Sequence, residues 1–388
     1  MPIKPTIVFT FPNCMGGVSS FNYNIINYSS LIKNFHSKVI LLKSKEDKRP
    51  PFLDKFLADE VILFEYSNIE NQYYVQKRLN QLLGNEQGAI ITDNSLTLSA
   101  ADRFNNPKTV FHLIHDFFYV SQNIAFGNKI DIAIAHSSFF SDAVYSSNPS
   151  DFAERSFYIP YGVKKGLNEF ENKPKSKKLN LVFLGRLDNG KGINYLIEIE
   201  QLLQKKNIEV NWTIVGNGPQ KNNLIAQWKN KKNIQFFEPD TTDEVYKILG
   251  KQDVFVFPTS FEGTPVSILE CLANGVVTIV NDLPGGIRDI VTQDIGFRCK
   301  LNEIEEFTNN IMLLHYDRIL LRKMQLNCFA LHKKSYDIKI NADNYFKFFK
   351  QFEFFKREKK NTKPMPMSRL DSKYIFNFIT KLFRTVKW

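Results

Sequence analysis

At 388 residues, 43% hydrophobic and 23% charged, the chain is long enough for two domains with separate cores, and its composition excludes a disordered or membrane-embedded protein. The net charge of +11 is uneven: from Lys356 to Trp388, ten Lys/Arg stand against Glu358 and Asp371, a local +8 that leaves only +3 on the rest. A basic tail on a near-neutral body argues against nucleic acid as the partner of the whole chain.

The opening stretch MPIKPTIVFTFPNC runs into Gly16-Gly17 and reads as a first strand rather than a secretory leader. With no apolar run of about 18 residues, the expected location is the cytoplasm, extending to peripheral attachment on the cytoplasmic face of the inner membrane. Cys14, Cys271, Cys299 and Cys328 are far apart, form no C-x-x-C pair and are expected as reduced thiols.

Strand-like runs follow at 6–11, 37–43, 60–66, 89–93, 108–115 and 131–137. They are short, rich in branched and aromatic residues and lack strict alternation, which predicts strands covered on both faces of a parallel sheet. The polar stretch ENKPKSKK, 171–178, is the expected linker between an amino-terminal domain (1–170) and a carboxy-terminal domain (179–338). The second half repeats the pattern: strands at 180–185, 209–216, 233–239, 253–258 and 276–282, with helices near 192–205, near 220–230 and from Pro265. The fold class expected is α/β, with two facing Rossmann-like β/α/β domains and a cleft where strand ends converge on a ligand.

Three segments carry candidate chemistry. In FEGTPVSILE (261–270), Thr264 is expected to cap a helix and Pro265 to occupy its first turn, so that exposed N–H groups and the helix dipole favour an anion. Glu262 then lies beside that anion and Glu270 further along the helix, where the two carboxylates can address different parts of one extended ligand. In NLVFLGRLDNGKG, Arg186 and Lys191 leave the end of a strand and are suited to neutralise a diphosphate. In NCMGGVSSF, Gly16-Gly17 permits close approach of a phosphate or sugar, whereas neither dinucleotide-binding nor P-loop glycine spacing is present. Gly216, in VGNGP, is a weaker glycine signal of the same kind.

His115 closes FHLIH at a strand end and is a candidate to contact a substrate hydroxyl, with a core or surface histidine equally open. His112 and His136 have no convincing metal-ligand set around them. No D-x-D occurs, and the E-x-E of Glu198 and Glu200 is expected as helix surface charge. No metal is therefore expected, and leaving-group charge would fall to Arg186, Lys191 and helix N–H groups.

In order, these segments resemble the retaining glycosyltransferases of family 4, of the GT-B fold: MGGV, HSS (136–138), IPYGV (159–163), GRLDNGKG (185–192), VGNGP, PTSFEGTPVSILECLANG (258–275) and NDLPGGIRDIV (281–291). The resemblance spans about residues 5–300 and adds a return helix to the first domain at 339–355. It implies transfer of a sugar from a UDP- or GDP-sugar to a hydroxyl acceptor, with a lipid-linked or cell-surface glycan precursor as the expected acceptor and no cofactor. By the same resemblance Glu270 holds the donor ribose, Arg186 and Lys191 the diphosphate, and Glu262 the transferred sugar. Gly17, Gly285 and Gly286 approach the donor, and His115 contacts the sugar. Tyr161, Cys271 and Arg288-Asp289 depart from the commonest family pattern. Sugar-nucleotide epimerisation or hydrolysis, and a non-catalytic nucleotide-sugar or membrane-binding role, are the alternatives.

The tail, 356–388, ends in KYIFNFITKLFRTVKW. Ile375, Phe378, Ile379, Leu382, Phe383 and Val386 form a helical stripe, with Lys381, Arg384 and Lys387 for a polar side. Such a helix is expected to lie on an anionic membrane surface through residues 373–388, helped by Trp388.

Overall fold

The computed structural model describes residues 4–148, 152, 154–167, 177–229, 231–358 and 367–385. The apolar runs of the first half become one parallel sheet of β1 (Thr6–Pro12), β2 (His36–Ser44), β3 (Glu60–Tyr66), β4 (Gly88–Thr92), β5 (Thr109–Ile114), β6 (Ile132–Ala135) and β7 (Ser156–Tyr158). Their spatial order is β3-β2-β1-β4-β5-β6-β7. β4 and β5 are buried at every residue, as strands covered on both faces must be, whereas edge strand β3 leaves Val61, Leu63 and Glu65 exposed. Connecting helices are α1 (Gly17–Tyr28), α2 (Gln72–Leu83), α3 (Ser95–Arg103), α4 (Phe117–Ala125) and α5 (Ser138–Ser147). Asn71, Asn94, Asp116 and Ser137 cap α2 to α5 by accepting a backbone N–H, while α1 starts at Gly16 without a side-chain cap.

The second half builds a separate parallel sheet: β8 (Leu179–Leu184), β9 (Val210–Val215), β10 (Ile234–Phe237), β11 (Val254–Phe257), β12 (Val277–Asn281) and β13 (Gly296–Cys299), in the order β10-β9-β8-β11-β12-β13. Its helices are α6 (Ile193–Lys205), α7 (Lys221–Gln227), α8 (Thr242–Leu249), α9 (Val266–Ala273), α10 (Gly286–Ile290), α11 (Ile304–Tyr316) and α12 (Arg318–Leu331). The α/β class with two Rossmann-like halves is thus as the sequence predicts; the short strands β7 and β13 were not anticipated. One expectation is corrected: Glu200 is buried, not on the surface, and its carboxylate accepts a hydrogen bond from the Trp212 indole at 2.8 Å across α6 and β9. A buried indole N–H needs an acceptor, and Glu200 supplies it.

By contact, the chain divides into Met1–Tyr161 with Lys339–Trp388, and Gly162–Ile338. The expected linker, 171–178, falls at 171–176 outside the described residues. After α13 (Ile338–Phe349), whose Phe346 and Phe349 rings lie 6.0 Å from that of Phe9, come α14 (Phe352–Phe355) and α15 (Asn377–Thr385). Phe349 also meets Phe111 at 5.3 Å, so α13 covers one face of β1 and β5 in the first unit. On α15, Arg384 turns toward the protein rather than taking the outward polar side expected for it: its guanidinium donates to Glu70 O at 2.6 Å and pairs with Asp371 at 2.8 Å. Val386, Lys387 and Trp388 lie outside the described residues. All four cysteines are buried and outside any disulfide, and burial pushes the Cys299 thiol up to about 12. Among the described residues no helix is long and apolar enough to cross a membrane.

Candidate active site

Each sheet reverses its strand order at one point, between β1 and β4 in the first unit and between β8 and β11 in the second. Loops leaving the carboxyl ends of adjacent strands diverge there and open a crevice for a ligand. In the second unit, the loop after β8 carries Arg186 and Lys191, and the loop after β11 carries Glu262, Thr264 and Pro265. Topology therefore gathers residues some seventy positions apart in sequence.

The two loops are fastened together. Asn189–Lys191 form a single helical turn capped by Asp188, whose carboxylate accepts the Lys191 N–H at 3.1 Å. Gly190 O then accepts the Ser260 N–H and the Ser260 hydroxyl, each at 3.0 Å. Gly192, at φ 71°, has the left-handed backbone that favours glycine, and a Cβ there would run into Pro258 O. So anchored, the Lys191 ammonium lies 2.5 Å from the Glu262 carboxylate and 5.9 Å from the Phe257 ring centroid. Burial pushes the Glu262 carboxyl up, opposed by Lys191 and by a hydrogen bond from Thr259. Arg186 pairs with Asp188 at 2.5 Å through Nε, and its side chain is 71% exposed.

The capping expectation is corrected. Helix α9 starts one residue later than predicted, with Pro265 itself as N-cap at φ −73°, ψ 112°, and no side chain caps it. The extended backbone at Pro265 takes Thr264 away from the helix N–H groups and sets it against α10: a Cβ on Gly286 would stand 2.7 Å from the Thr264 hydroxyl. That hydroxyl is buried and has no hydrogen-bond partner among the described residues. The Ile268 N–H is taken by Pro265 O at 3.2 Å, but the Val266 and Ser267 N–H groups have no partner among the described residues, the usual anion-binding feature of a helix start.

Glu270 lies on α9, partly buried, and its carboxylate has no hydrogen-bond or ion-pair partner among the described residues. Burial alone pushes it up to about 7. Gly285, at φ 109°, precedes α10; the Gly286 N–H is taken by Gly263 O at 3.0 Å and is not free for a ligand. At Gly216 a Cβ would strike Gly185 O, so packing between strand ends accounts for that glycine.

The remaining candidates, Gly17 and His115, belong to the first unit. Gly17 is exposed at the uncapped start of α1, directly after β1. One turn further along α1, the Phe21 ring meets the His115 ring edge-on at 5.5 Å. His115 Nε2 lies 3.4 Å from Asp93, which follows β4 at the strand reversal and was missed in the sequence. Both Asp93 carboxylate oxygens are buried without a hydrogen-bond partner among the described residues. His136, 4.5 Å from His115 ring to ring, shares a hydrogen bond of 2.8 Å with the Tyr345 hydroxyl; burial holds its imidazole well below the usual range. His112 is fully buried beside Asn123 at 3.1 Å and is pushed down to about 4. Asp188 is the other missed residue; its spacing two positions after Arg186 was the available signal.

Among known proteins, residues 165–328 match the family described as glycosyl transferases group 1. A UDP-Gal:alpha-D-GlcNAc-diphosphoundecaprenol alpha-1,3-galactosyltransferase of Escherichia coli is 29% identical over 158 residues, 39% of this chain and 41% of that one. An N,N'-diacetylbacillosaminyl-diphospho-undecaprenol alpha-1,3-N-acetylgalactosaminyltransferase of Campylobacter jejuni is 24% identical over 365 residues, 81% of this chain and 95% of that one. The chain spans about two fifths of the length of the Escherichia coli relative and of an uncharacterized glycosyltransferase from Haemophilus influenzae. The crystal structure of Anabaena HepE with UDP and glucose superposes with a TM-score of 0.70 at 14% identity, covering 89% of this chain and all of that one, which shows a shared fold.

Proposed function

We propose, from the match of residues 165–328 to the family described as glycosyl transferases group 1, that the chain is a retaining glycosyltransferase that moves a sugar from a nucleoside diphosphate, UDP in the first instance, to a hydroxyl of a lipid-linked or polysaccharide precursor. The observation that carries this reading is the pairing of Lys191 with Glu262 beside the uncapped start of α9. A diphosphate there would meet a lysine ammonium, the exposed Arg186 guanidinium and free backbone donors, while the orphaned Thr264 hydroxyl would gain a partner.

In the proposed reaction the bond from the anomeric carbon to the β-phosphate oxygen breaks, and its electron pair leaves with the diphosphate. The acceptor oxygen bonds the same carbon from the same face, and its proton passes to the departing phosphate oxygen. Lys191 and Arg186 stabilise the charge that grows on that oxygen. Glu262 holds Lys191 in place and offers a carboxylate oxygen to sugar hydroxyls; Glu270 accepts the ribose hydroxyls. Within the first unit, Gly17 and His115 are its own candidates for contact with a sugar.

Two relatives named for acceptors on undecaprenol diphosphate support the lipid-linked class, and the structural neighbour bound to UDP supports the donor. The test is a panel of UDP- and GDP-sugars, read by thermal stabilisation and by sugar appearing on an undecaprenyl-diphosphate-linked acceptor. Stabilisation by one donor with product on the acceptor is expected. Donor epimerised or hydrolysed with no sugar transferred would replace this reading with an isomerase or hydrolase; binding without turnover on any acceptor would reduce it to a nucleotide-sugar-binding protein.

A further inference from the structure

Residues 373–385 contain Lys373, Lys381 and Arg384 and no acidic residue. In a water-facing amphipathic helix the polar stripe would point outward. Here Asn377, Thr380 and Arg384 of that stripe point inward, while Lys381 stays exposed. Asn377, Thr380 and Arg384, spaced as one helix face, are the side chains through which α15 grips the first unit. The Asn377 side-chain Oδ1 accepts the Asn71 backbone N–H at 2.8 Å, and the Asn71 side-chain amide donates back to Ile375 O at 2.8 Å. Thr380 is fully buried and donates to Leu370 O at 2.8 Å. Arg384 reaches Asn68 O at 3.1 Å and the Asp371 carboxylate, which in turn accepts the Gln72 N–H at 2.8 Å.

The consequence is an inverted surface. Tyr374 is 81% exposed, Phe378 69%, Phe376 64%, Leu382 62% and Phe383 53%, all within ten residues. The Phe376 and Phe378 rings stack at 6.0 Å, and the Lys373 ammonium lies 5.0 Å from the Tyr374 ring centroid. Single exposed apolar side chains need no explanation, but a contiguous aromatic patch marks an interaction surface. Its rim is cationic, with Lys373 and Lys381 exposed and no carboxylate on the segment to answer them. Aromatic and leucine side chains framed by lysines match the boundary of an anionic bilayer, where rings enter the headgroup zone and ammonium groups reach lipid phosphates.

We infer that α15 and the residues before it form a preformed bilayer-docking face, in which Tyr374, Phe376, Phe378, Leu382 and Phe383 enter an anionic membrane while Asn377, Thr380 and Arg384 tie them to the body of the first unit. The helix is therefore a rigid foot and not a tail that folds on contact with lipid. This inference does not depend on the transferase reading, since none of these residues is assigned a role in it.

The test is flotation of the full chain with phosphatidylcholine vesicles, with and without phosphatidylglycerol. Binding is expected only with phosphatidylglycerol, weakening as salt rises. A Phe378→Ser, Leu382→Ser double variant should lower binding at least about tenfold while keeping the wild-type melting temperature, because both side chains are exposed. As an independent readout, a fluorophore on Phe378→Cys should shift to the blue with anionic vesicles only; the native cysteines are buried. Absence of flotation, equal flotation without phosphatidylglycerol, or wild-type binding by the double variant overturns the inference. Self-association in lipid-free buffer that the double variant abolishes would assign the face to a second copy and overturn it as well.

Discussion

Replacing Glu270 by glutamine should stabilise the ligand-free chain at alkaline pH and weaken nucleotide binding at the same time. The carboxyl is displaced by burial from 4.5 to about 7 and has nothing to pair with among the described residues. Between those values the folded state binds a proton that the unfolded state does not, so the group's contribution is fully present below pH 4.5 and is lost as pH rises through about 7. The displacement corresponds to about 3 kcal/mol, a ceiling because the side chain keeps part of its hydration. Above pH 7, Glu270 is a desolvated carboxylate, and the neutral amide of the Glu270→Gln variant would remove that cost. Urea unfolding of wild type and Glu270→Gln at pH 5 and pH 8 measures it. The expected gain is small at pH 5 and between about 1 and 3 kcal/mol at pH 8. UDP affinity of the wild type should rise with pH across the same window, since ribose hydroxyls donate to the ionised carboxylate, and Glu270→Gln should lose that rise. A variant no more stable at pH 8 than at pH 5, relative to wild type, would refute the desolvation argument. Undiminished UDP affinity in the variant would refute the ribose assignment.

Arg186→Ala should leave stability within about 0.5 kcal/mol, because its pair with Asp188 is on the surface, yet lower kcat roughly 10²- to 10³-fold; denaturation and steady-state turnover check the two halves. Lys191→Ala should do both kinds of damage, since it leaves Glu262 buried without its cation: about 1–3 kcal/mol of stability and a comparable loss of rate, with Lys191→Ala, Glu262→Gln recovering stability but not rate. Asp93→Asn should lower kcat roughly 10- to 100-fold by freeing the His115 ring, with UDP affinity measured by calorimetry unchanged because the proposed nucleotide contacts are residues of the second unit. A loss of stability with unaltered kcat would make Asp93 a packing residue only.

The central strands were legible because burial on both faces leaves runs such as VFHLI and VFVF with no polar interruption beyond a single histidine. β7 and β13 were not, being three or four residues long and partly exposed at sheet edges. Arg186, Lys191, Glu262 and Glu270 could be singled out because each lies in a short local motif after a strand. Their partners could not: that Lys191 meets Glu262 follows from β8 lying beside β11, a fact of topology. Asp93 was missed for the same reason, since only the reversal between β1 and β4 gives the end of β4 its importance. The displaced cap at Pro265 shows a further limit. Proline fixes φ in a range shared by helix and extended chain, and the extended ψ at Pro265, 112°, makes the proline rather than Thr264 the residue before the helix. On α15, periodicity separated an apolar face from a polar one but carried no information on which would meet the protein.

A crystal structure with UDP bound is the most direct measurement. It should place the β-phosphate within about 3 Å of Lys191 Nζ and the first N–H groups of α9, with Arg186 released from Asp188 to reach the diphosphate and Glu270 on the ribose. A diphosphate seated elsewhere, with Arg186 still paired to Asp188 in solvent and α9 uncontacted, would contradict the proposed site.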